Sequence, residues 1–306
     1  VVTPQQWLGL DAIADDCSNG TLRITTRQTF QYHEVLKKDL RSLMQQVNAV
    51  GLDTKGACGD VNRNVVTNVN PHQSSVHAEV HQISQAISDH LCWQSGAYAE
   101  IWLGEQCVYQ PGKSEEPFYG DRYLPRKFKI GIAIPPENDS DVLANDIALI
   151  AIIENDELIG FNVAVGGGMG MTYGETATFP RLATMAGFVP KDNIEWFNDK
   201  FTEYQGEAMT HARPFELVRN GDRFGWIQGE DGQWHLTLYI YSGRVADTDT
   251  LLLRTALREI AKVHTGEFRM TCNQNLIIAN ISPAQKPVIE ALVEQYQLDI
   301  GDRRPA

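Results

Sequence analysis

The sequence predicts a mixed α/β (α+β) protein in which a duplicated strand–helix unit at the two chain ends encloses an inserted α/β domain. The segment Gly20-Thr-Leu-Arg-Ile-Thr-Thr-Arg-Gln28 reappears as Gly266-Glu-Phe-Arg-Met-Thr-Cys-Asn-Gln274, 246 residues later. The correspondence runs without a gap to the Leu-Asp pairs at 52–53 and 298–299. A unit repeated at both ends predicts one pseudo-two-fold domain from residues 1–55 and 225–306, with 56–224 as a separate α/β domain. Chance similarity of two strand–helix units is the alternative.

The elements of the first copy follow from local patterns. A Thr-Pro pair at positions 3 and 4 is typical of a helix start and predicts a helix over Pro4–Ala14. Polar and apolar residues alternate over Leu22–Tyr32, which predicts one strand. Apolar residues at helical spacing over Val35–Val50 predict an amphipathic helix that Gly51 ends.

The remaining elements are predicted from the same periodicities and from turn-forming residues. In chain order they are a loop over Gly56–Pro71, a helix over His72–Leu91, a strand over Ala97–Leu103, a loop over Pro111–Pro125, a strand over Lys127–Pro135, a hairpin of Ile147–Ile153 with Leu158–Val165, helices starting in Arg181–Gly187 and over Asn193–Tyr204, a hairpin of Phe224–Gln228 with Trp234–Tyr241, and a helix over Leu251–Val263.

Composition narrows the class of protein. The 306 residues include 42% hydrophobic and 21% charged residues, as in ordinary globular proteins, and no apolar run approaches the roughly 18 residues of a membrane span. The net charge of −13 argues against a general nucleic-acid binder. The five cysteines lack C-x2-C spacing, so neither a zinc site nor a self-contained iron–sulfur site is visible, and a reduced cytoplasmic chain is the simplest interpretation.

One face of the predicted strand Leu22–Tyr32 is polar without an acidic residue. Arg23 and Arg27 are four residues apart and would project the same way, about 13 Å from each other. A solvated edge strand could have this pattern. In a chain this acidic, however, a basic and neutral face favours binding of a large polyanion with spaced carboxylates, since guanidinium pairs with carboxylate through two hydrogen bonds. The other residues of this face are Thr25, Thr29, Gln31 and His33.

Two further basic clusters are candidates for a small-anion site. The Asn- and Gly-rich segment Cys58–Asn64 suits a tight loop that directs Arg63, although a structural turn with a surface arginine is equally consistent. Arg126, Lys127 and Lys129 begin an apolar strand, and two ammonium groups on one face would attract a small dianion. A cluster that protects the apolar strand from aggregation is the alternative. Among weaker signals, His77 and His81 have metal-ligand spacing without an evident third ligand, so a solvated face is favoured.

Seven segments together resemble the sirohaem-dependent sulfite and nitrite reductases, and among these the haemoprotein (beta) subunits of bacterial assimilatory NADPH sulfite reductases. The resemblance covers nearly the whole chain in family order and implies duplicated ferredoxin-like units. The segments are Arg23–His33, Asn62–Val65, Ala97–Leu103, Tyr123–Lys129, Phe161-Asn with Gly166-Gly-Gly, Trp234–Leu238 and Asn273–Ile278.

The resemblance implies a function and a set of site residues. It implies six-electron reduction of sulfite to sulfide at sirohaem coupled to a 4Fe-4S cluster, in sulfate assimilation and cysteine biosynthesis. The electron donor would be a flavoprotein reductase subunit, with no nucleic-acid or membrane partner. Arg63, Lys127 and Lys129 would bind sulfite. The residues implied at sirohaem are Arg23, Arg27, Gln31, His33, Arg126, Asn273, Gln274 and Asn275. Ferredoxin-dependent nitrite reductase and a non-catalytic tetrapyrrole-binding or scaffold chain are the alternatives.

Three departures from the family pattern indicate a fragment. The family places its four cluster cysteines in a C-terminal domain beyond the equivalent of Ala306, and an N-terminal arm before the equivalent of Val1. It also has several dozen more residues between Pro190 and Asn193. We therefore expect sirohaem and the 4Fe-4S cluster in the full-length enzyme, neither in these 306 residues alone, and no metal ligands within them.

Overall fold

The computed structural model describes residues 1–57, 59–70, 73–94, 101–103, 106–109, 116–120, 123–124, 127–167, 184–191 and 209–298. The helices in this part of the chain are α1 (Pro4–Cys17), α2 (Leu40–Ala49), α3 (Ser75–His90), α4 (Leu253–Val263) and α5 (Lys286–Gln295). The strands are β1 (Leu22–Ile24), β2 (Phe30–Gln31), β3 (Asn62–Val66), β4 (Ile101–Leu103), β5 (Gln106–Tyr109), β6 (Phe128–Ala133), β7 (Glu137–Asn138), β8 (Ile147–Glu154), β9 (Glu157–Val165), β10 (Thr184–Pro190), β11 (Arg219–Asn220), β12 (Gly225–Gln228), β13 (Trp234–Leu238), β14 (Arg244–Val245), β15 (Glu267–Met270) and β16 (Leu276–Ile281).

The sequence repeat is a structural repeat. Helices α2 and α5 begin and end 246 residues apart, as the repeat predicts. Both helices close in the same way: the Leu52 N–H donates to Val47 O at 3.1 Å, and the Leu298 N–H donates to Val293 O at 3.0 Å. The same offset of 246 residues therefore relates the helix starts, the helix ends and both partners of the closing hydrogen bond.

The turn after the first strand of each copy is also the same. The N–H of Thr25 donates to the carbonyl four residues later at 2.9 Å, and the N–H of Thr271 makes the equivalent bond at 3.0 Å. Gln28 and Gln274 both adopt the left-handed region, with φ of 58° and 65°. A non-glycine residue rarely adopts this conformation, so its occurrence at both equivalent positions is strong evidence for duplication.

The two copies exchange strands and share one core. Val2, before α1, pairs with Phe268 of the second copy, and Val245, before α4, pairs with Leu22 of the first. The Trp7 ring stacks on Phe268 with ring centroids 4.7 Å apart. Buried residues from both chain ends form a single hydrophobic cluster. The predicted pseudo-two-fold arrangement is confirmed; the domain boundaries at 55 and 225 stay a proposal.

The middle of the chain forms a five-stranded sheet in the order β10-β9-β8-β6-β3. Strands β3, β6 and β8 are parallel, whereas β9 and β10 are antiparallel to their neighbours. Helix α3, which begins at the N-cap Ser74, packs its apolar side on one face. The β8–β9 turn is two residues, Asn155 and Asp156, both with positive φ. This confirms the predicted hairpin and identifies a turn that matches strand twist.

Three element predictions are wrong. Leu22–Tyr32 is two short strands around a turn, because the Thr25 hydroxyl accepts the N–H groups of Arg27 and Thr29, both at 3.3 Å, and bends the chain. The predicted loop Gly56–Pro71 contains β3, whose Val65-Val66 run packs in the sheet. Residues 184–190 form strand β10 rather than the start of a helix, since pairing with β9 decides their conformation. The predicted helix Asn193–Tyr204 lies outside the described residues.

Candidate functional site

Arg27 reaches from the turn of the first copy into the five-stranded sheet. Its Nε donates to Asn64 Oδ1 at 3.2 Å and its Nη1 to Asn145 Oδ1 at 2.9 Å. Its Nη2 donates to the main-chain carbonyls of Asn64 and, at 3.5 Å, of Ile130. In return, Asn64 Nδ2 donates to Arg27 O at 2.6 Å. Every hydrogen-bond acceptor that the described residues offer to this guanidinium is uncharged.

The position of Arg27 depends on a glycine in β6. A Cβ added at Gly131 would lie 2.4 Å from Asn145 Nδ2, far inside contact distance. Asn145 is buried and anchors its own amide on the carbonyls of Asp141 and Val142 at 3.1 and 3.2 Å. The space beside Gly131 is therefore filled by the amide that holds Arg27.

The Arg27 guanidinium is a half-buried cation without an ion-pair partner among the described residues. Its pKa is lowered to about 10, chiefly by desolvation; Cys272 and Asp146 raise the pKa, whereas the neighbouring Arg63 cation lowers it. The described residues place no carboxylate within ion-pair distance of Arg27. A desolvated cation without a counter-ion is a site that favours an anion.

Arg63, Lys127 and Lys129 come from the beginnings of two neighbouring strands. Strand β3 runs parallel to β6 with Asn62 opposite Phe128, so these cations come from adjacent positions. Arg63 is half-buried and both lysines are exposed. Within the described ranges none of the three forms an ion pair. Asp146 approaches this group, but its carboxylate accepts the Lys129 backbone N–H at 2.8 Å.

Arg23 belongs to a second polar row on the duplicated unit. It pairs with Gln31 of β2 on one side and with Arg244 of β14 on the other, and its neighbours Leu22 and Ile24 point into the core. Arg23 and Arg244 make no ion pair with another described residue. Sequence analysis missed Arg244 because β14 is two residues long and shows no alternation.

The second-copy turn holds the three predicted residues Asn273, Gln274 and Asn275. Asn273 and Asn275 donate their amides to Asp222 at 2.9 and 2.7 Å. Gln274 Nε2 donates to Ile24 O at 2.9 Å. These side chains therefore bond within the protein, and their cofactor roles stay predictions.

The other predicted residues are less informative. His33 is half-buried beside the first-copy hairpin, and Arg126 lies outside the described residues. No group of three His, Cys, Asp or Glu side chains in the described ranges is spaced to bind a metal. His77 is half-buried in α3, and desolvation lowers its pKa to about 4. No described helix is both long and apolar enough to cross a membrane.

Comparison with known proteins gives consistent matches. The model of the nitrite and sulphite reductase 4Fe-4S domain matches residues 83–226, and that of the nitrite/sulfite reductase ferredoxin-like half domain matches residues 1–50 and 227–296. The sulfite reductase (NADPH) hemoprotein beta-component of Lysinibacillus sphaericus is 48% identical over 98% of this chain and 58% of its own length. That of Geobacillus thermodenitrificans is 48% identical over 100% of this chain and 60% of its own. The structure of the Mycobacterium tuberculosis NirA protein superposes with a TM-score of 0.67 at 21% identity, covering 100% of this chain and 56% of that chain, and supports the fold.

The chain spans about three-fifths of the length of these curated relatives. The match to the Lysinibacillus protein runs over 334 positions, 28 more than the 306 residues of this chain. At least 28 residues of that relative therefore have no counterpart here. The resemblance implied that the family has several dozen more residues between Pro190 and Asn193. The location of the unmatched residues stays a prediction.

Proposed function

This chain belongs to the nitrite and sulfite reductase family, and we propose that it forms the sirohaem- and substrate-binding part of a sulfite reductase haemoprotein subunit. The full-length protein would reduce sulfite to sulfide with six electrons and six protons. The names of the curated relatives, each 46–48% identical to this chain, favour sulfite over nitrite.

One observation supports this proposal most directly: Arg27 is a half-buried cation whose hydrogen bonds with described residues all go to neutral acceptors, beside a second arginine, Arg63. A structural arginine at this depth would normally face a carboxylate. The geometry instead leaves positive charge at the junction of the duplicated unit and the five-stranded sheet. This fits a group that brings its own carboxylates, as sirohaem does.

In this proposal one set of residues binds the cofactor and another binds the substrate. Arg27, with Arg23 on the neighbouring strand, would pair with carboxylates of sirohaem. Sirohaem, coupled to a 4Fe-4S cluster, would supply the electrons. Arg63, Lys127 and Lys129 would bind sulfite and stabilise the negative charge that develops on its oxygens. The Nζ–H groups of the two lysines can also donate protons to those oxygens.

The remaining parts of the proposal concern the whole protein. Because this chain spans about three-fifths of its curated relatives and its five cysteines lack C-x2-C spacing, we propose that the cluster cysteines come from another part of the full-length subunit. A flavoprotein subunit would deliver electrons from NADPH, and the enzyme would act in the cytoplasm in cysteine biosynthesis.

Substitution of Lys127 tests the substrate site. In the full-length enzyme, Lys127→Ala should lower sulfite turnover about tenfold or more, since one electrostatic stabiliser is lost. Lys38→Ala removes an exposed lysine from the duplicated unit and is the matched control. A near-normal rate for Lys127→Ala, with both proteins fully loaded with sirohaem, would remove Lys127 from the mechanism.

The absorption spectrum separates an enzyme from a scaffold. Sirohaem bands in the full-length protein and their absence from the 306 residues alone would support the proposal. Bands in neither protein would favour a non-catalytic scaffold.

A further inference from the structure

A polar cavity lies beside the second-copy turn, and Glu137, Asp139 and Asp222 are among the residues that line it. It has a volume of about 30 Å³, which is room for one or two water-sized groups. It is lined by the loop after β3, by β7 with the residue after it, by the loop after β11, and by residues of β12, β13 and the β15–β16 hairpin. The lining residues used below are Asn70, Glu137, Asp139, Asp222 and Arg223.

Three of these side chains present oxygen atoms with no hydrogen-bond partner. They are Oδ1 of Asn70, Oε2 of Glu137 and Oδ1 of Asp139, each shielded from solvent. Asn70 is 4% exposed and Glu137 is 8% exposed. Asn70 is the informative case, because a buried amide oxygen without a donor costs about 1–3 kcal/mol unless a ligand or water satisfies it.

The charge of the cavity is not balanced by protein groups. Glu137 is paired with Arg219 through its other oxygen at 3.0 Å. Asp139 and Asp222 receive only neutral donors: Asn68 Nδ2 donates to Asp139 at 2.5 Å, while Asp222 is held by Thr271 and the second-copy asparagines. Burial and then the charge of Asp222 raise the pKa of Asp139 to about 7.

We propose that this cavity binds a hard divalent cation of the Ca²⁺ type, through Asp139, Asp222 and the amide oxygen of Asn70, with water completing the shell. Carboxylate and amide oxygens are the ligands that Ca²⁺ takes, whereas Zn²⁺ and Cu²⁺ favour sites that contain His or Cys. Asp222 Oδ1 accepts a single hydrogen bond, from Asn273, and keeps a lone pair for the ion. The ion would tie the second-copy turn to the five-stranded sheet.

Arg223 is the competing cation. It lines the cavity but is exposed and forms no ion pair with a described residue. If its guanidinium entered the cavity, it would neutralise Asp139 or Asp222 without a metal. Removing it by Arg223→Gln should therefore leave Ca²⁺ binding intact or strengthen it.

The test is calorimetric titration of CaCl2 into the full-length protein after passage over a chelating resin, at constant ionic strength. We expect one Ca²⁺ per chain and a thermal midpoint that rises with CaCl2. Asp139→Asn should weaken the affinity about tenfold or more, as loss of one charged ligand does. Asp249→Asn makes the same chemical change at an exposed site and should leave the affinity unchanged.

Asn70→Ala provides a second variant that removes an oxygen ligand without a change of charge. It should also weaken Ca²⁺ binding, and it keeps the test decisive if Asp139→Asn fails to fold. The proposal is overturned if the wild-type protein binds no Ca²⁺ at millimolar concentration, or if neither Asp139→Asn nor Asn70→Ala alters the affinity. Binding that appears only in Arg223→Gln would also overturn it, because Arg223 would then be the natural occupant.

Discussion

Protonation of His77 should make the protein less stable in mild acid. His77 lies in the first turn of α3, where its Nδ1 is 2.7 Å from the Ser74 hydroxyl, and burial lowers its pKa from 6.5 to about 4. Between these values the unfolded chain binds a proton that the folded chain does not, so stability is fully present above pH 6.5 and is lost as the pH falls toward 4. At pH 5 the loss from this one group is about 2 kcal/mol relative to pH 8.

The assay is urea denaturation at pH 8, 6.5 and 5 for the wild-type protein and for His77→Gln. The variant cannot take up this proton, so its loss of stability from pH 8 to pH 5 should be smaller by about 2 kcal/mol. His211→Gln changes an exposed histidine and should retain the wild-type pH dependence. Equal pH dependence in His77→Gln and wild type would refute the assignment of a neutral, half-buried His77.

Three further substitutions test the packing around the sites. Gly131→Ala should destabilise the fold by about 1–3 kcal/mol because it displaces Asn145, and a double variant with Asn145→Ala should be clearly non-additive in urea unfolding. Thr271→Val removes a hydroxyl that donates to Asp222 at 2.6 Å and should cost about 1–3 kcal/mol of unfolding free energy; an unchanged midpoint would contradict the bond. Asp156→Gly places the preferred residue in the two-residue β8–β9 turn and should stabilise by about 0.5–1 kcal/mol, measured as a higher thermal midpoint, whereas a lower midpoint would argue against this turn type.

Sequence alone predicted those features whose cause is local. The repeat located equivalent helices because the same apolar spacing and turn residues recur, and the β8–β9 hairpin follows from alternation around Asn155-Asp156. Strand β10 was mistaken for a helix because its conformation depends on pairing with β9, which lies nearby in space but is not visible in its own pattern.

The charged residues of the candidate site could be predicted from the sequence, but the residues that hold them in place could not. Arg27 and Arg63 stand out because they are basic residues in an acidic chain. Nothing in the sequence around Asn145 indicates that its side-chain oxygen accepts a hydrogen bond from Arg27, which lies 118 residues earlier in the chain. Asp222 was also missed, because its hydrogen-bond partners lie in the second-copy turn, about 50 residues later in the chain, and its local sequence does not indicate that contact.

The duplicated turns lead to a conclusion about how this scaffold diverged. Position 27 of the first copy and the equivalent position 273 of the second occupy the same place in the same turn, and each reaches into the middle segment. Arg27 donates to uncharged amides and carbonyls, whereas Asn273 donates to the carboxylate of Asp222. An arginine at position 273 would lie beside the Asp222 carboxylate, which would neutralise its charge. The electrostatic difference between the two equivalent turns therefore lies in the surroundings that each copy meets as much as in the two residues themselves.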